Sequence, residues 1–293
     1  ILISRGVIPT YLAVQLPTVN MGKVNNFGYE VSLRWQNKIK GGHYYIGGNL
    51  SYAKNKVIFM DEIKYPYEWM QRTGKPVGQN FGYVFDGYFT EEEVANYPTM
   101  KGKEGGIADQ GSGYVPLPGD VKYKDLNGDH KIDEKDMRDI GYPAYPLLSY
   151  GITMGLSWRG IDFSVTFSGA SKTSRLLSGP YRIPFGETNN WSLMRYMMND
   201  AWTPEKGNSA AAPAISLRNK SHNYLDSDLW LRDASYVRLK NIELGYSFPK
   251  AITRSLHLNT LRFAVSGYNL LTFDHLKVCD PEANPNGRAY PLI

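Results

Sequence analysis

Residues 125–136 space their oxygen-bearing groups as a calcium-binding loop does. The candidate ligands fall at positions 1, 3, 5, 7, 9 and 12 of a 12-residue loop: Asp125, Asn127, Asp129, the Lys131 carbonyl, Asp133 and Asp136. Calcium takes about six to eight hard oxygen ligands, and alternate positions of a tight loop can converge on one point. The sequence therefore predicts one calcium ion. Its role is structural, because the motif lies in a long connecting segment.

Two positions depart from this pattern. The sixth position, usually a glycine that allows a sharp turn, is His130, and the twelfth is the short Asp136 in place of glutamate. Weaker binding than in a tight calcium buffer is therefore expected. The alternative is an acidic turn in which the aspartate side chains cap neighbouring backbone amides.

A second candidate site lies further along the chain. Its side chains could stack on sugar rings or bind polar substrate groups, and we predict substrate contacts at Tyr181, Arg182, Trp191 and Trp202. Packing of these side chains within their own segment is the alternative.

The sequence contains no pattern typical of catalysis. The five histidines lack metal-ligand spacing, and neither a nucleophile elbow nor a phosphate-binding glycine loop occurs. The net charge of +5 is scattered, which argues against a nucleic-acid partner, and the single Cys279 cannot form an internal disulfide. We therefore predict a protein that is not an enzyme.

Apolar and polar residues alternate with a period of two in several segments, which predicts an all-β protein. No run approaches the about 18 apolar residues of a membrane helix, so any membrane span must consist of strands. The apolar positions of the first four segments are Phe27, Tyr29, Val31, Leu33 and Trp35; Tyr44, Ile46, Leu50 and Tyr52; Tyr150, Ile152, Met154, Leu156 and Trp158; and Ile161, Phe163, Val165 and Phe167.

Two further strands follow, at residues 236–248 and from Leu261 onward. In the first of them Val237 and Leu239 lie out of phase with Ile242 and Leu244. A β-bulge near Asn241 would restore the phase.

The connections between these strands are of two kinds. Residues 37–42, 159–160 and 250–258 are short links, whereas residues 54–147, 170–230 and those after Phe273 are long. Alternation alone fits a soluble β-sandwich equally well. Short turns on one side and long loops on the other instead favour an outer-membrane β-barrel, with the long regions outside the cell.

Several stretches resemble the SusC/RagA family of TonB-linked (TonB-dependent) outer-membrane transporters. The most extended of them are GKVNNFGYEVSLRW from Gly22, GDVKYKDLNGDHKIDEKD from Gly119, IGYPAYPLLSYGITMGLSWRGIDFSVTFSGAS from Ile140, WLRDASYVRLKNIELGYSFP from Trp230 and LRFAVSGYNLLTF from Leu261. Shorter matches are YYIGGNLSYAKNKV from Tyr44 and NDAWTPE from Asn199. The order and spacing of these stretches carry the resemblance.

The resemblance implies that residues 1–293 are the C-terminal part of a transmembrane antiparallel β-barrel of about 22 strands. On this interpretation residues 55–147 and 171–229 are long extracellular loops. The chain opens without Met at Ile1 and stops at Ile293, so we expect the plug domain and the closing strand to lie outside this sequence.

The function implied is import of oligosaccharides, or of other large nutrients such as peptides, across the bacterial outer membrane. A SusD-like surface lipoprotein would be the partner, and the TonB complex would supply energy through the missing N-terminal part. A siderophore or vitamin receptor is one alternative. A secreted, calcium-stabilised, glycan-binding β-sandwich is the other.

Overall fold

A computed structural model describes residues 22–186 and 191–283, together with the short strands at its N-terminal end. The expectation that the closing strand is missing concerns residues 290–293, which lie outside the described residues. The strands are β1 (Leu2–Ile3), β2 (Val19–Asn20), β3 (Lys23–Ile39), β4 (Gly42–Phe59), β5 (Asn80–Gly82), β6 (Phe85–Tyr88), β7 (Val121–Tyr123), β8 (Arg138–Ile140), β9 (Leu148–Trp158), β10 (Ile161–Ser171), β11 (Ser174–Leu176), β12 (Leu231–Asp233), β13 (Tyr236–Ser247) and β14 (Arg262–Asp274).

The described helices are short. They are α1 (Glu91–Met100), α2 (Arg195–Asp200), α3 (Lys220–Asn223) and α4 (Lys250–Ser255), with single 3₁₀ turns at Glu68–Met70, Glu134–Asp136, Gly179–Tyr181, Gly207–Ser209 and Asp228–Trp230. None of the helices in the described part of the chain has the length and apolar character that crossing a bilayer requires.

Six long strands form one antiparallel sheet in the order β14-β13-β10-β9-β4-β3. Lys40 and Gly41 join β3 to β4, and Arg159 and Gly160 join β9 to β10. Arg159 and Gly160 both have positive φ, 49° and 90°, the backbone form that suits a tight hairpin. The link from β13 to β14 contains α4. All three links lie at one end of the sheet, as the predicted short connections require.

Side chains sort cleanly onto the two faces of this sheet. One row of the apolar face runs through Trp35, Ile46, Met154, Val165 and Ile242. On the opposite, polar face a row crosses all six strands through Ser32, Asn49, Gly151, Ser168, Arg238 and Thr272. The all-β prediction with an alternating transmembrane pattern is therefore confirmed.

A β-bulge lies where the phase of β13 changes. Against β10, the consecutive residues Thr166 and Phe167 pair with Asn241 and Leu239, so Lys240 is the extra residue. The bulge returns Val237 and Leu239 to the apolar face. It also places Arg238 on the polar face, opposite Ser168. The bulge predicted near Asn241 is confirmed.

Residues 60–147, 172–186 and 191–235 lie at the other end of the sheet and pack on one another; with residues 275–283 we call them the loop body. Its core joins the two long segments. Tyr88 and Val121 from the first segment pack with Ala210 from the second, and the Tyr88 hydroxyl donates to the Ala210 carbonyl at 3.1 Å. A neighbouring cluster surrounds the fully buried Trp230.

Candidate functional site

The polar face of the sheet is lined by small and hydrophilic side chains. Thr153 and Thr166 lie opposite each other, with 3.4 Å between their hydroxyl oxygens, and Ser51 donates to Glu30 at 3.2 Å. The Tyr45 ring packs against Gly155, where an added Cβ atom would come within 2.3 Å of the ring. This face can line a water-filled passage.

A charged group occupies the polar face near the short links. The Arg262 guanidinium donates to Glu243 at 2.6 Å and lies 3.8 Å from Asp162. These residues belong to β10, β13 and β14, so the ion pairs join neighbouring strands. Glu243, Asp162 and His43 also line a cavity of about 180 Å³. This end of the passage is therefore ionic as well as hydrophilic.

Residues 275–283, which we call the returning segment, fold from the end of β14 back against β13. The buried Arg238 donates to Asp280 at 2.7 Å and to Glu282 at 2.8 Å. Partial burial alone would raise the pKa of both carboxyls, but hydrogen bonds from Arg238 to Asp280 and from Lys240 to Glu282 hold both pKa values below their usual range. The ion pairs therefore fasten the loop body to the polar face of the sheet.

Sequence reasoning did not identify Arg238 as important. Its partners lie more than 40 positions away along the chain, at separations of 42 and 44. The sequence shows only that Arg238 lies beside a predicted bulge and that two acidic residues, Asp280 and Glu282, follow the last strand. That signal predicts no pairing, because nothing in the sequence shows that the chain turns back.

A buried carboxylate ties the two long segments together. Asp120 accepts hydrogen bonds from the Leu117 amide, the Tyr114 hydroxyl and the side-chain amides of Asn219 and Asn223, at 2.6–3.2 Å. Asn223 in turn accepts from the Val121 amide at 3.0 Å. Because each carboxylate oxygen has donors, Asp120 can stay buried without a paired cation.

The predicted calcium loop has the backbone shape of such a loop in part. His130, at position 6, adopts a left-handed φ of 61°, the conformation that glycine usually supplies there. Asp125 accepts from the amides of Gly128 and His130 at 2.7 and 2.8 Å. Asp136 accepts from the amides of Leu126 and Asp133 at 2.8 and 2.9 Å. These bonds draw the first and last acidic residues into the turn.

The side chains of this loop are arranged differently. The Lys135 ammonium lies 3.5 Å from Asp129 and 3.3 Å from Asp133, in the position of a counter-ion. Burial raises the pKa of the Asp136 carboxyl despite the amides that it accepts from. Within residues 22–186 and 191–283, no three or more His, Cys, Asp or Glu side chains are grouped so that they could hold a metal ion. The loop shares the left-handed turn of a calcium loop at His130, whereas its acidic side chains are not grouped around one point.

The four predicted substrate-binding residues have separate surroundings. Tyr181 packs beside Leu177 and Leu276, and Trp202 packs against the core around Tyr88 and Val121. Arg182 forms an ion pair with Asp226, and Trp191 contacts Gly186. Each residue has a packing partner in the loop body, so their contact with substrate stays a prediction.

No family model matches the chain. The chain is 28% identical over 293 residues to TonB-dependent receptor P3 of Formosa agariphila, covering 94% of this chain and 27% of that protein. It is 24% identical over 292 residues to TonB-dependent receptor SusC of Bacteroides thetaiotaomicron, covering 94% of this chain and 26% of the other.

Among solved structures, the RagAB peptide importer in its open-open state matches with a TM-score of 0.67 and 18% identity. That match covers 98% of this chain and 29% of the other. The chain is thus similar in sequence to TonB-dependent receptors, SusC among them, and similar in fold to a chain of the RagAB peptide importer. It spans about a quarter of the length of the curated relatives that it matches. Those relatives are named as receptors, in agreement with the prediction that the chain is not an enzyme.

Proposed function

We propose that this chain forms part of the barrel wall and outer mouth of a TonB-dependent importer of large nutrients in a bacterial outer membrane. The observation that carries the proposal is the sorting of the two faces of the sheet. Large apolar side chains are exposed on one face, with Leu33 at 71% and Phe263 at 68%, while the other face is hydrophilic. A sheet with this pattern fits a wall between lipid and water.

Three further features belong to the proposal. The nutrient is an oligosaccharide or a peptide, and a SusD-like lipoprotein contacts the loop body from outside. Energy comes through the TonB complex, which binds another part of the receptor. The names of the matched proteins support this assignment, since they are TonB-dependent receptors, SusC and a peptide importer.

We also propose that the loop at residues 125–136 binds calcium in the extracellular medium. The left-handed His130 and the amide bonds to Asp125 and Asp136 support the proposal. Binding requires Lys135 to leave Asp129 and Asp133. The ion would order the loop and would take no part in transport.

The two alternative functions differ in where they place the chain. A siderophore or vitamin receptor shares the barrel but takes another ligand. A secreted glycan-binding sandwich needs a second sheet to cover the apolar face; in the described residues the other sheets are two-stranded. That observation favours the membrane wall.

Protease accessibility on intact cells tests the orientation. We expect cleavage in residues 60–147 and 172–235, at the long-segment end of the sheet, and protection of residues 39–42 and 250–258. Cleavage restricted to the short links would contradict the proposed topology. A matched culture with a permeabilised outer membrane shows that the protected links can be cut once the protease reaches them.

A further inference from the structure

A groove lies on the polar face at the long-segment end of β3 and β4. Its floor includes Asn26 from β3 and Asn55 from β4, which lie directly opposite each other. Its wall comes from Tyr145 and Pro146 in the first long segment. The open groove has a volume of about 380 Å³, within the range of small-molecule sites. In a closed barrel this position would face the passage near its outer mouth.

Hydrogen bonds hold the groove in shape. The Asn55 carboxamide oxygen accepts from the Val77 amide at 2.6 Å, and the Ala53 amide donates to the Leu147 carbonyl at 2.9 Å. Thr173 donates to the Ala144 carbonyl at 3.1 Å. The wall is therefore fixed to the sheet at both sides, and a ligand would meet a preformed surface. Preformed sites avoid the cost of ordering loops on binding.

The lining of the groove is apolar or neutral. It contains valine, proline, alanine, leucine, one tyrosine and two asparagines, and no charged side chain is present among the described residues that line it. Tyr145, in the first long segment, is 73% exposed, and Asn26, on β3, is exposed as well. Glu243 and Arg262 lie near the opposite end of the sheet, and Glu30, four positions along β3 from Asn26, does not line the groove.

An exposed aromatic ring beside side-chain amides suits a neutral, hydroxyl-rich ring. The aromatic face covers the apolar side of the ring, and the amides exchange hydrogen bonds with its hydroxyl groups. A peptide instead brings charged ends, which need counter-charges when they are desolvated. The groove offers none.

We propose that this groove is a subsite for a neutral saccharide unit, with Tyr145 as the stacking platform and Asn26 and Asn55 as hydrogen-bonding groups. The inference rests on the proposed import function and names its substrate class. The site is separate from Tyr181, Arg182, Trp191 and Trp202, none of which lines the groove.

The test uses the longest gene product that carries this chain, purified in detergent. Isothermal titration calorimetry measures binding of maltohexaose, cellohexaose and xylohexaose, with hexa-alanine as the peptide probe. We expect at least one oligosaccharide to bind, with Tyr145→Ala weakening it about tenfold or more and Tyr145→Phe retaining it, because stacking needs the ring. Tyr142→Ala is the matched control, since Tyr142 is also exposed but does not line the groove.

Absence of binding by all three oligosaccharides, or unchanged binding by Tyr145→Ala, overturns the subsite. Hexa-alanine binding that depends on Tyr145 also overturns it, because the groove would then take peptides. Uptake by cells separates this result from the import function. Gene-dependent uptake that Tyr145→Ala leaves unchanged rejects the subsite alone, whereas Tyr145-dependent binding without gene-dependent uptake supports the subsite and rejects import.

Discussion

The sheet and the loop body bury opposite kinds of side chain, although one chain builds both. In the loop body Trp230, Phe89 and Val121 are fully buried, as in a soluble protein. In the sheet Leu33 and Phe263 are among the most exposed side chains, while Arg238 is buried. The contrast fits the proposed function, in which water surrounds the loop body and lipid covers the apolar face of the sheet.

The core of the loop body gives the largest expected effect. Trp230→Ala removes a fully buried side chain that packs with Met197 and Tyr224 and donates to the Asn223 carbonyl. The loss should destabilise the loop body by about 3–5 kcal/mol. Hydrogen exchange of residues 191–235 measures it. Leu217→Ala, at an exposed position in the same segment, should change exchange little; equal effects of both variants would mean that the loop body has no such core.

The apolar face of the sheet should respond to charge as a lipid-facing wall does. Changing Leu156, Val165 or Phe263 to Arg should cost about 2–4 kcal/mol near the bilayer midplane. Polar changes at Ser157, Ser164 or Thr166, on the other face, should be tolerated. Heat-modifiable migration of the assembled barrel measures the difference. Equal tolerance on both faces would contradict a wall between lipid and water.

The six strands could be predicted because period-two alternation is a local signal that lipid on one side and water on the other impose. Even the bulge could be predicted, from the phase change between Leu239 and Ile242. The observed strands are longer than the alternation suggests: β4 continues to Phe59, into the segment assigned to the first long loop.

The loop body could not be predicted in the same way. Its contacts join residues far apart in sequence, as between the Tyr88 hydroxyl and the Ala210 carbonyl, 122 positions apart. Tyr145 has no distinguishing neighbours in the sequence, and only folding brings it beside Asn26 and Asn55. Spacing identified the calcium motif, but spacing carries no information about where the Lys135 ammonium lies.

The returning segment connects the sheet with the loop body, so loosening it should uncouple the stability of one region from that of the other. Arg238→Met removes the hydrogen bonds to Asp280 and Glu282 and should loosen residues 275–283 by about 1–3 kcal/mol. Since the pKa values of both carboxyls are lowered in the folded state, their contribution is complete above about pH 4.5 and is lost as pH falls through the lowered values.

Hydrogen exchange of the returning segment measures both effects. In the wild type this segment should stay fully protected from exchange down to about pH 4.5. In the Arg238→Met variant it should already lose protection at neutral pH. Lys277→Met, within the same segment but outside these ion pairs, is the control. A segment that stays equally protected in both variants would show that the ion pairs do not fasten it.

Calcium should act on the loop body and leave the sheet unchanged. Because the ion would bind the ordered loop and hardly the disordered one, saturation at about ten to a hundred times Kd stabilises the loop by about 1–3 kcal/mol. We expect a chelator to speed proteolysis of residues 60–147, with heat-modifiable migration unaltered. Asp125→Ala should remove the response. Identical cleavage with and without chelator, and no calcium in the purified protein, would leave an acidic turn.

Lys135→Ala gives the smallest and most specific effect. The Lys135 ammonium lies within 3.5 Å of Asp129 and Asp133, two predicted ligands, so it competes with a cation for their oxygens. These side chains are partly exposed, where ion pairs are weak, so its removal should tighten calcium binding only a few-fold. Titration of the purified protein with calcium measures the change, and Lys131→Ala, which retains the backbone carbonyl at position 7, is the matched control. Weaker binding after Lys135→Ala would mean that the lysine supports the loop and that the carboxylates are not arranged around calcium.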